Sequence, residues 1–417
     1  MKLNRILFAG LILTAYVMPA QEKTVGLLEK TSEVSEGYIL FHPIPDNNIY
    51  LIDNCGRLIN KWETDYRPGH SVYLQPDGSI YFQGAATNPF INAGGAGGAF
   101  ERHDWNGTKQ CRYVYSDGTG RAHHDYQVLP NGNLLILAWE YKTKEEAIAN
   151  GRNPDLMSED ALWPEQIFEL EPTGEEGGNI VWSWHAWDHM VQDFDETKSN
   201  YGVIADNPGK ININYFYPGE DVADWQHANA LNYNAELDQI MISVLNFDEI
   251  WIIDHNTTTE EARGEKGDLL FRWGNPEAYG RGTIDDKQLH GQHDAKWIEP
   301  GLPDEGKIMV FNNGRGRPDG QYTSIIKLDP TIQNEAYQMN QDGHYLPESP
   351  FYEYTAPNPT DFYSRFLSGA QQLPNGNILV NSGAFGTFFE FNEQEEIVWK
   401  YVSPITFGGP AEQGTVP

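Results

Sequence analysis

The sequence predicts an all-β fold, a six-bladed β-propeller whose blades are four-stranded antiparallel sheets. The first observation is that the hydrophobic runs are short and rich in Ile, Val, Tyr, Phe and Trp, residues that favour strands. The second is a set of tight-turn signals between such runs, namely Pro76-Asp77-Gly78, Pro130-Asn131-Gly132 and Pro374-Asn375-Gly376. The third is that the runs recur in groups of four, which is typical of radially arranged blades.

The repeat is clearest after residue 70, where units of four predicted strands follow one another. These units span residues 70–115, 126–184, 230–273, 295–354 and 369–401. Ahead of them lie only three predicted strands, at residues 38–41, 48–52 and 58–62. Six complete blades need one strand more, which a closing strand from the C-terminus would supply, but no candidate is evident there. We therefore expect either that the sequence is incomplete or that this blade has three strands. A two-sheet β-sandwich is the competing fold, but it does not explain the period of four.

Two long segments interrupt the repeat, at about residues 188–225 and about residues 331–365. Both are aromatic and rich in Asn and Pro. Loops of this length often carry function, so we predict that they form lids over a site. Residues 142–151 are the best candidate for a short helix, and long helical periodicity is nearly absent elsewhere.

The chain is strongly acidic, which limits its partners. It has 60 Asp and Glu residues against 28 Lys and Arg residues, so its formal net charge is −32. A surface of this sign repels phosphate groups, and we therefore expect neither nucleic acid nor an anionic membrane as a partner. An anionic substrate would need a local cluster of positive charge.

The first 20 residues have the pattern of a secretory signal peptide. Lys2 and Arg5 precede an apolar run at residues 6–17, and Pro19-Ala20 offers a small residue for cleavage. We therefore predict that residues 21–417 form a single propeller domain that is periplasmic or secreted. No later stretch is apolar enough to predict a membrane span.

The chain has two cysteines, Cys55 and Cys111. In an exported protein a pair of cysteines can oxidise, so we predict a disulfide between them. Two free buried thiols are the alternative.

Histidines begin several of the predicted innermost strands. His70 and His124 each lie eight residues before the glycine of a tight turn, and Ser368 lies eight residues before the third such glycine. His227 and His293 lead the corresponding strands of the third and fourth repeat units. Because the innermost strands of a propeller all start at one mouth of its central channel, we expect these side chains to meet there.

Imidazoles gathered in this way suit nucleophilic and acid–base chemistry. A neutral imidazole, with an ordinary pKa of about 6.5, can attack an electrophile, and a protonated one can donate to a leaving group. Asp125 and Asp294 directly follow histidines, and we predict that they fix ring tautomers. A metal site is the weaker alternative because the pattern lacks a firm ligand set, so we predict neither a metal nor another cofactor.

The longest motifs of the chain lie around these histidines. They are Asp-Trp-Gln-His-Ala-Asn at 224–229, Phe-Arg-Trp-Gly-Asn-Pro at 271–276, Ala-Tyr-Gly-Arg-Gly at 278–282, Gly-Gln-His-Asp at 291–294 and Ser-Gly-Ala-Gln at 368–371. These motifs resemble those of the bacterial arylsulfotransferases, exported enzymes that do not use the nucleotide sulfate donor. The resemblance extends from about residue 37 to about residue 402.

This resemblance implies a six-bladed propeller that transfers a sulfuryl group from an aryl sulfate donor to a phenolic acceptor. The implied route is ping-pong, through a sulfated histidine, without a cofactor, and family members can be homodimers. By position, His293 resembles the nucleophile. His124 and His227 resemble the histidines that bind the sulfuryl group and protonate the leaving phenolate. Ser368 takes the place of a hydroxyl residue in the substrate pocket, and His123 is the alternative to His124.

One stretch departs from the family pattern. At residues 243–246, which read Ser-Val-Leu-Asn, Leu245 stands where the resemblance leads us to expect an arginine. Loss of a fixed cation at developing charge can cost on the order of 10²-fold in rate. Asn246 in the same stretch is predicted to bind substrate. Three arginines from other blades are candidates to supply the charge, namely Arg315, Arg317 and Arg365, and we predict substrate binding for the last two.

Two other functions stay open at this point. The first is a non-catalytic propeller that binds sulfated ligands or polysaccharide, which Leu245 favours. The second is a propeller-type polysaccharide lyase that uses histidine and tyrosine, which no residue pattern singles out.

Overall fold

The structure, a computed structural model, describes residues 23–216 and 222–414. Six antiparallel sheets, here called blades 1 to 6 in chain order, form its framework. The strands of blades 1 to 3 are Tyr38–Phe41, Asn48–Asp53 and Leu58–Glu63; Pro68–Leu74, Ile80–Ala85, Gly98–His103 and Lys109–Val114; and Gly120–Val128, Leu134–Glu140, Glu165–Pro172 and Gly178–His185. The strands of blades 4 to 6 are Ala228–Asn234, Gln239–Val244, Glu249–Asp254 and Phe271–Trp273; His293–Trp297, Ile308–Asn312, Ser324–Leu328 and Tyr352–Tyr354; and Gly369–Gln372, Ile378–Ser382, Thr387–Phe391 and Ile397–Val402.

Each gap between neighbouring blades is filled by its own hydrophobic cluster, and these clusters close the ring. Blades 3 and 4 share the largest, which includes Leu137, Trp184, Ile242 and Trp251. Blades 6 and 1 are joined in the same way, through Phe41, Ile52, Phe388, Trp399 and Tyr401. The predicted six-bladed propeller is therefore confirmed, and the sandwich alternative is wrong because each sheet packs on two neighbours.

Tryptophans on the outer strands tie each blade to the next. The indole N–H of Trp182 donates to the Thr257 hydroxyl, and that of Trp273 donates to the Pro347 carbonyl. Both acceptors lie between the third and fourth strands of the following blade. The Trp399 indole makes the same kind of bond to the Asn54 carbonyl of blade 1. The Asn54 turn is therefore equivalent to the connection between a third and a fourth strand.

The three strands of blade 1 thus correspond to the second, third and fourth strands of the other blades. Among the described residues, no strand occupies the innermost position of this blade. Blade 1 therefore has three strands in the described part of the chain, as predicted for one blade. Gly26–Lys30 does not complete it, because this strand pairs antiparallel with Ile397–Val402 as a fifth, outermost strand of blade 6.

Acidic side chains connect the inner strands around the channel. Asp125 of blade 3 accepts hydrogen bonds from the Ser71 and Tyr73 hydroxyls of blade 2 and from the Leu231 N–H of blade 4. In blade 5, Asp294 accepts the Ala370 N–H of blade 6. The prediction that these carboxylates fix ring tautomers is wrong, because their oxygens bind neighbouring strands instead.

The remaining elements are short. The predicted helix is confirmed as Lys144–Ala149, which begins with a capping box formed by Thr143 and Glu146. The other elements are the helix Thr259–Ala262, the 3-10 turns Pro154–Leu156, Ala186–His189, Ile204–Asp206, Leu245–Phe247, Glu265–Gly267, Pro276–Tyr279, Ile284–Asp286, Pro359–Asp361 and Gly383–Phe385, and the two-residue strands Lys142–Thr143, Ala161–Leu162, Met190–Val191, Ile211–Asn212, Ile332–Gln333, Ala336–Tyr337, Ile405–Thr406 and Gly409–Pro410.

The two predicted insertions lie at different ends of the propeller. The described parts of the first segment, residues 188–216 and 222–225, follow the outer strand of blade 3 and precede the inner strand of blade 4, so the segment leaves and rejoins the blades at the mouth where inner strands begin. Residues 331–351 join the third and fourth strands of blade 5, which places them at the opposite end. Only the later part of the second segment, residues 355–368, returns to the mouth. The lid prediction therefore fails for residues 331–351.

The predicted disulfide is not formed. Cys55 lies in an exposed turn of blade 1 with its sulfur 3.3 Å from the Lys30 ammonium, and Cys111 lies on the outer strand of blade 2, next to the Tyr81 hydroxyl. The predicted signal peptide, residues 1–20, lies outside the described residues. Within the described ranges, no helix has the length and hydropathy to cross a bilayer.

Candidate active site

The inner strands of blades 2 to 5 begin with distorted backbone. Each has a register irregularity against its second strand near the mouth of the channel. Residues in the left-handed region lie at the same places, with φ of 84° at His70, 47° at His124, 52° at His227 and 53° at Asp294. In blade 6, Ser368 has φ of 131°. Bulges and strained residues of this kind cluster at functional sites, where they direct side chains away from the regular alternation of a strand.

The imidazoles of blades 2, 3 and 4 gather at this mouth. The ring centroids of His124 and His227 are 4.7 Å apart, and those of His70 and His124 are 5.8 Å apart. The His70 ring is exposed to the channel, His124 is buried and His227 is half-buried. The structure therefore brings together the histidines that the sequence placed at one rim.

His293 is held as a neutral base with one free nitrogen. Its Nδ1 lies 2.8 Å from Asn313 Oδ1 and 3.2 Å from the Gly291 carbonyl. The Asn313 amide is oriented because its Nδ2 donates to the Ser364 carbonyl, so Oδ1 must face the ring. Nδ1 therefore carries the proton and Nε2 carries the lone pair. Burial lowers the pKa of His293 to about 4, with the charges of His227 and Arg315 acting in the same direction.

His227 has the opposite electrostatic setting. Its Nδ1 lies 2.5 Å from Asp224 Oδ2, which leaves Nε2 toward the site. Burial is the largest single effect and disfavours the imidazolium, but the charge and hydrogen bond of Asp224, with a smaller contribution from Glu165, together raise the pKa of His227. The site thus pairs a neutral imidazole at His293 with one that is readily protonated at His227. Two titratable groups whose pKa values are pushed apart are a mark of acid–base function.

His124 is the end of a buried chain of hydrogen bonds. Its Nδ1 lies 2.9 Å from Nδ1 of His123, and His123 Nε2 lies 2.8 Å from Glu165 Oε2. Burial lowers the pKa of both imidazoles well below the ordinary value and raises that of Glu165 well above it. His123 therefore lies behind His124 rather than facing the channel.

A glycine-rich loop of blade 2 covers His124. The Gly95 carbonyl accepts the His124 N–H at 2.7 Å, and a Cβ placed on Gly95 would come within 1.9 Å of the imidazole ring. Gly95 also has φ of 79°, which an L side chain rarely adopts. Any larger residue at this position would displace the His124 ring.

The family pattern leads us to expect an arginine at position 245, where this chain has Leu245. Arg315 of blade 5 brings positive charge to the site instead. Its charge acts on the pKa of both His227 and His293, which places it in the same site. Leu245 is buried, and its N–H donates to the His227 carbonyl. Of the other two candidates, Arg317 bonds Ser324 and Glu353, and Arg365, in the segment that returns to the mouth, is exposed against the Phe366 ring.

Asn246 and Ser368 lie near the mouth but are engaged with protein groups. Asn246 Nδ2 donates to the Asp224 carbonyl at 3.0 Å and so supports the loop that carries the partner of His227. The Ser368 hydroxyl lies 2.9 Å from that of Ser364. Asn229, two residues after His227, donates from Nδ2 to the Gln292 carbonyl and has a buried Oδ1 without a hydrogen bond.

The sequence reasoning missed four residues of the site: Asp224, Glu165, Asn313 and Gly95. Asp224 lies three residues before His227, a spacing that could have identified it as a partner. The run Gly94-Gly95-Ala96-Gly97-Gly98 could have indicated a close backbone approach. Glu165 and Asn313 come from distant strand ends, and no local pattern marks them.

No metal-binding arrangement of three or more His, Cys, Asp or Glu side chains occurs within the described ranges. A cleft of about 440 Å³ lies at the opposite end of blades 2 and 3, between Tyr81, Arg102, Cys111 and Asn131. It contains none of the histidines discussed above. The mouth of the channel is thus the better candidate for catalysis.

The fold and the site define a six-bladed propeller with a histidine-lined, locally cationic site at one channel mouth. A family model for arylsulfotransferase (ASST) matches residues 29–404. The chain therefore belongs to the arylsulfotransferase family. Compared with curated protein sequences, the chain has no match.

Solved structures with a similar arrangement are distant in sequence. A protein of unknown function from Bacteroides caccae is 11% identical with a TM-score of 0.48, over 90% of this chain and 97% of that one. A streptogramin B lyase is 12% identical with a TM-score of 0.41, over 94% and 86% of the two chains. A catalytically inactive virginiamycin B lyase from Staphylococcus aureus with quinupristin is 11% identical with a TM-score of 0.41, over 91% and 88%.

Proposed function

We propose that the protein transfers a sulfuryl group from an aryl sulfate to a phenolic acceptor by a ping-pong route through His293. The observation that carries this proposal is the tautomer of His293. Asn313 and Gly291 hold its Nδ1–H, so a neutral Nε2 lone pair is available beside the protonatable His227 and the Arg315 cation. Family membership supports the same class of reaction.

In the first half-reaction, His293 Nε2 attacks the sulfur of the donor and the bond from sulfur to the aryl oxygen breaks. The leaving phenolate takes a proton from the site. His227 and Arg315 offset the negative charge of the sulfuryl oxygens. In the second half-reaction, an acceptor phenol loses its proton to the site and attacks the sulfur, which regenerates His293. His124 and His227 thus serve as the acid–base and anion-binding groups.

Mass spectrometry after incubation with 4-nitrophenyl sulfate alone tests this proposal. The expected product is a sulfated histidine in the peptide that spans residues 291–297, and it should disappear when a phenol is added. His293→Ala should abolish both the modification and turnover. His344→Ala is a matched control, because His344 is a half-buried histidine whose Nε2 bonds the Arg281 carbonyl rather than a residue of the candidate site. Full turnover by His293→Ala would refute the assignment.

A second candidate function is binding of sulfated ligands without turnover, which Leu245 at the expected arginine position favours. The placement of Arg315 near His227 and His293 weighs against it. The two functions differ in one measurement: a binder would hold an aryl sulfate at equilibrium without releasing phenol. Release of one equivalent of phenol per protein on mixing with donor would exclude the binder.

We also propose that the protein is exported, on the basis of residues 1–20. Fractionation of cells that express the full chain should recover it outside the cytoplasm, shortened at its N-terminus. Recovery of the full-length chain in the cytoplasm would contradict this proposal.

A further inference from the structure

A buried carboxyl group is connected to the site through two imidazoles. Glu165, the first residue of the third strand of blade 3, lies 2.8 Å from His123, and His123 lies 2.9 Å from His124. Glu165 and His123 are fully buried, while His124 is 7% exposed at the channel end. This hydrogen-bonded chain therefore leads from the protein interior to the His124 ring, whose Nε2 is the ring nitrogen that the chain does not use.

Neighbouring groups fix every member of this chain in place. The His123 ring stacks on Trp139 with centroids 3.8 Å apart. Glu165 Oε1 accepts the Ala228 N–H at 2.7 Å, so Oε2 is the oxygen directed at His123. The Glu165 N–H donates to the Gln226 side chain at 2.7 Å. These contacts join blades 3 and 4 and leave the carboxyl group a single orientation.

The two Nδ1 atoms that face each other can share only one proton. With both imidazoles neutral, the protons of this hydrogen-bonded chain therefore have two arrangements. In the first, Glu165 is a carboxylic acid that donates to His123 Nε2, His123 Nδ1–H donates to His124 Nδ1, and His124 presents Nε2–H to the channel. In the second, Glu165 is a carboxylate, His124 Nδ1–H donates to His123, and His124 presents a lone pair at Nε2. Complete burial favours the first arrangement at rest because it keeps Glu165 neutral.

We propose that Glu165, His123 and His124 form a proton relay that stores, between the two half-reactions, the proton exchanged with the aryl oxygens. This inference rests on the proposed sulfuryl transfer and adds Glu165 to it as a positioning and proton-holding residue. When the donor phenolate leaves, His124 Nε2–H passes its proton to the aryl oxygen. His124 Nδ1 takes the proton of His123 Nδ1, and His123 Nε2 takes that of Glu165, which becomes a carboxylate.

The sulfated enzyme then holds a lone pair at His124 Nε2 and is ready to act as a base. The acceptor phenol gives its proton to His124 as its oxygen attacks sulfur, and the three transfers run in reverse to restore the Glu165 acid. The proton count balances over the cycle without exchange with solvent. The relay assigns separate roles to His124 and His227, because His227, bound to Asp224, keeps its proton and its charge beside the sulfuryl oxygens.

The charged groups that face the Glu165 carboxyl group are consistent with this cycle. Asp224 favours the acid form of Glu165, and His227 favours the carboxylate form. Both lie on the blade 4 side, while Arg121 lies on the blade 3 side and directs its guanidinium to the carbonyls of Gly97 and Ile91.

Glu165→Gln tests the relay through its dependence on the leaving group. The amide can still donate to His123, so the resting arrangement is preserved, but it cannot release a proton. Phenyl sulfate leaves as a phenolate whose parent phenol has a pKa of about 10, so it needs protonation. We expect at least about 10²-fold loss of kcat with phenyl sulfate, the scale of general acid catalysis. With 4-nitrophenyl sulfate, whose phenolate is stable, the loss should be less than about 10-fold and KM should change little.

Glu169→Gln is the matched control, since Glu169 is a buried glutamate of the same strand that bonds Asn131 at the opposite end. It should behave like the wild-type protein with both donors. His123→Gln should show the same leaving-group dependence as Glu165→Gln, and the double variant should lose no more than either single variant. Equal losses with both donors in Glu165→Gln would overturn the relay.

Infrared difference spectroscopy separates this inference from the proposed function. Resting wild-type protein should show the carbonyl band of a buried carboxylic acid that is absent from Glu165→Gln, whether or not sulfuryl transfer occurs. Absence of that band overturns the relay. Addition of donor alone should remove the band in proportion to the sulfated His293 that forms, and a sulfated enzyme that retains the full band would also overturn it. A resting band without any sulfated histidine would instead refute the proposed function.

Discussion

Replacing Asp224 with asparagine should move the alkaline limb of the pH–rate profile to lower pH. Asp224 lies 2.5 Å from His227 Nδ1 and holds the pKa of that imidazole above its ordinary value. A raised pKa means that the imidazolium persists to higher pH. Without this carboxylate, burial and the charge of Arg315 both still lower the pKa of His227, so the pKa falls and the charged form is lost at a lower pH.

The size of the effect follows from the contact. An opposite charge at this range shifts a pKa by about 1–3 units, and one unit corresponds to about 1.4 kcal/mol. Above both pKa values, the protonated fraction of His227 should therefore fall by about 10- to 10³-fold, and kcat/KM should fall with it. At pH values low enough to protonate His227 in the variant, the rates should converge.

The assay measures initial rates of phenol release from 4-nitrophenyl sulfate with a fixed acceptor. Rates taken from acidic to alkaline pH would define the acidic and alkaline limbs of the pH–rate profile. Asp268→Asn is the control, because it removes a carboxylate 2.9 Å from another buried histidine, His189, whose ring nitrogens bond Asp268 and the Ala262 carbonyl rather than residues of the site. This control should leave the limb in place. An alkaline limb of Asp224→Asn that coincides with the wild-type limb would refute the role of His227 as the charged group.

Three further predictions concern the other parts of the site and the ring. Arg315→Met should lower kcat by about 10²-fold or more, and Leu245→Arg in that background should recover part of it, as measured by phenol release. Asn313→Asp should raise the pKa of His293 from about 4 by about 1–3 units, so that activity is lost at acidic pH, where the nucleophile becomes protonated, but not at alkaline pH. Trp399→Phe should lower the free energy of unfolding by about 1 kcal/mol in urea, since it removes the hydrogen bond to Asn54 while keeping most of the buried ring.

The sequence was sufficient for the fold because a propeller repeats one local pattern. Short β-rich runs and turns such as Pro130-Asn131-Gly132 marked four strands at a time, and the same count left blade 1 with three. It could not show which strand blade 1 lacks. That assignment depends on the Trp399–Asn54 bond between chain ends, and no sequence pattern specifies a partner that distant.

The sequence predicted the histidines of the site but missed the residues that support them. His124 and His227 were identifiable because each precedes a strand in a repeated position. Asn313 contacts His293, which is 20 positions away, and Glu165 contacts His123, which is 42 positions away. Both contacts depend on sheet register rather than on local sequence. The disulfide prediction failed for a related reason, since Cys55 and Cys111 lie on different blades and two cysteines in one chain do not specify their separation.

The alignment of blades also explains why His293 differs from the other histidines. In blades 3 and 4 the left-handed residue is the histidine itself, whereas in blade 5 it is Asp294, one residue later. His293 therefore corresponds in backbone position to His123, and the two imidazoles differ in what binds them. His123 is bonded at both nitrogens, to Glu165 and His124, so it can only pass protons. His293 is bonded at Nδ1 alone, by Asn313 and Gly291, so its Nε2 is left to form a covalent bond. At one backbone position, the partners of the ring thus distinguish the proposed nucleophile from a member of the proposed relay.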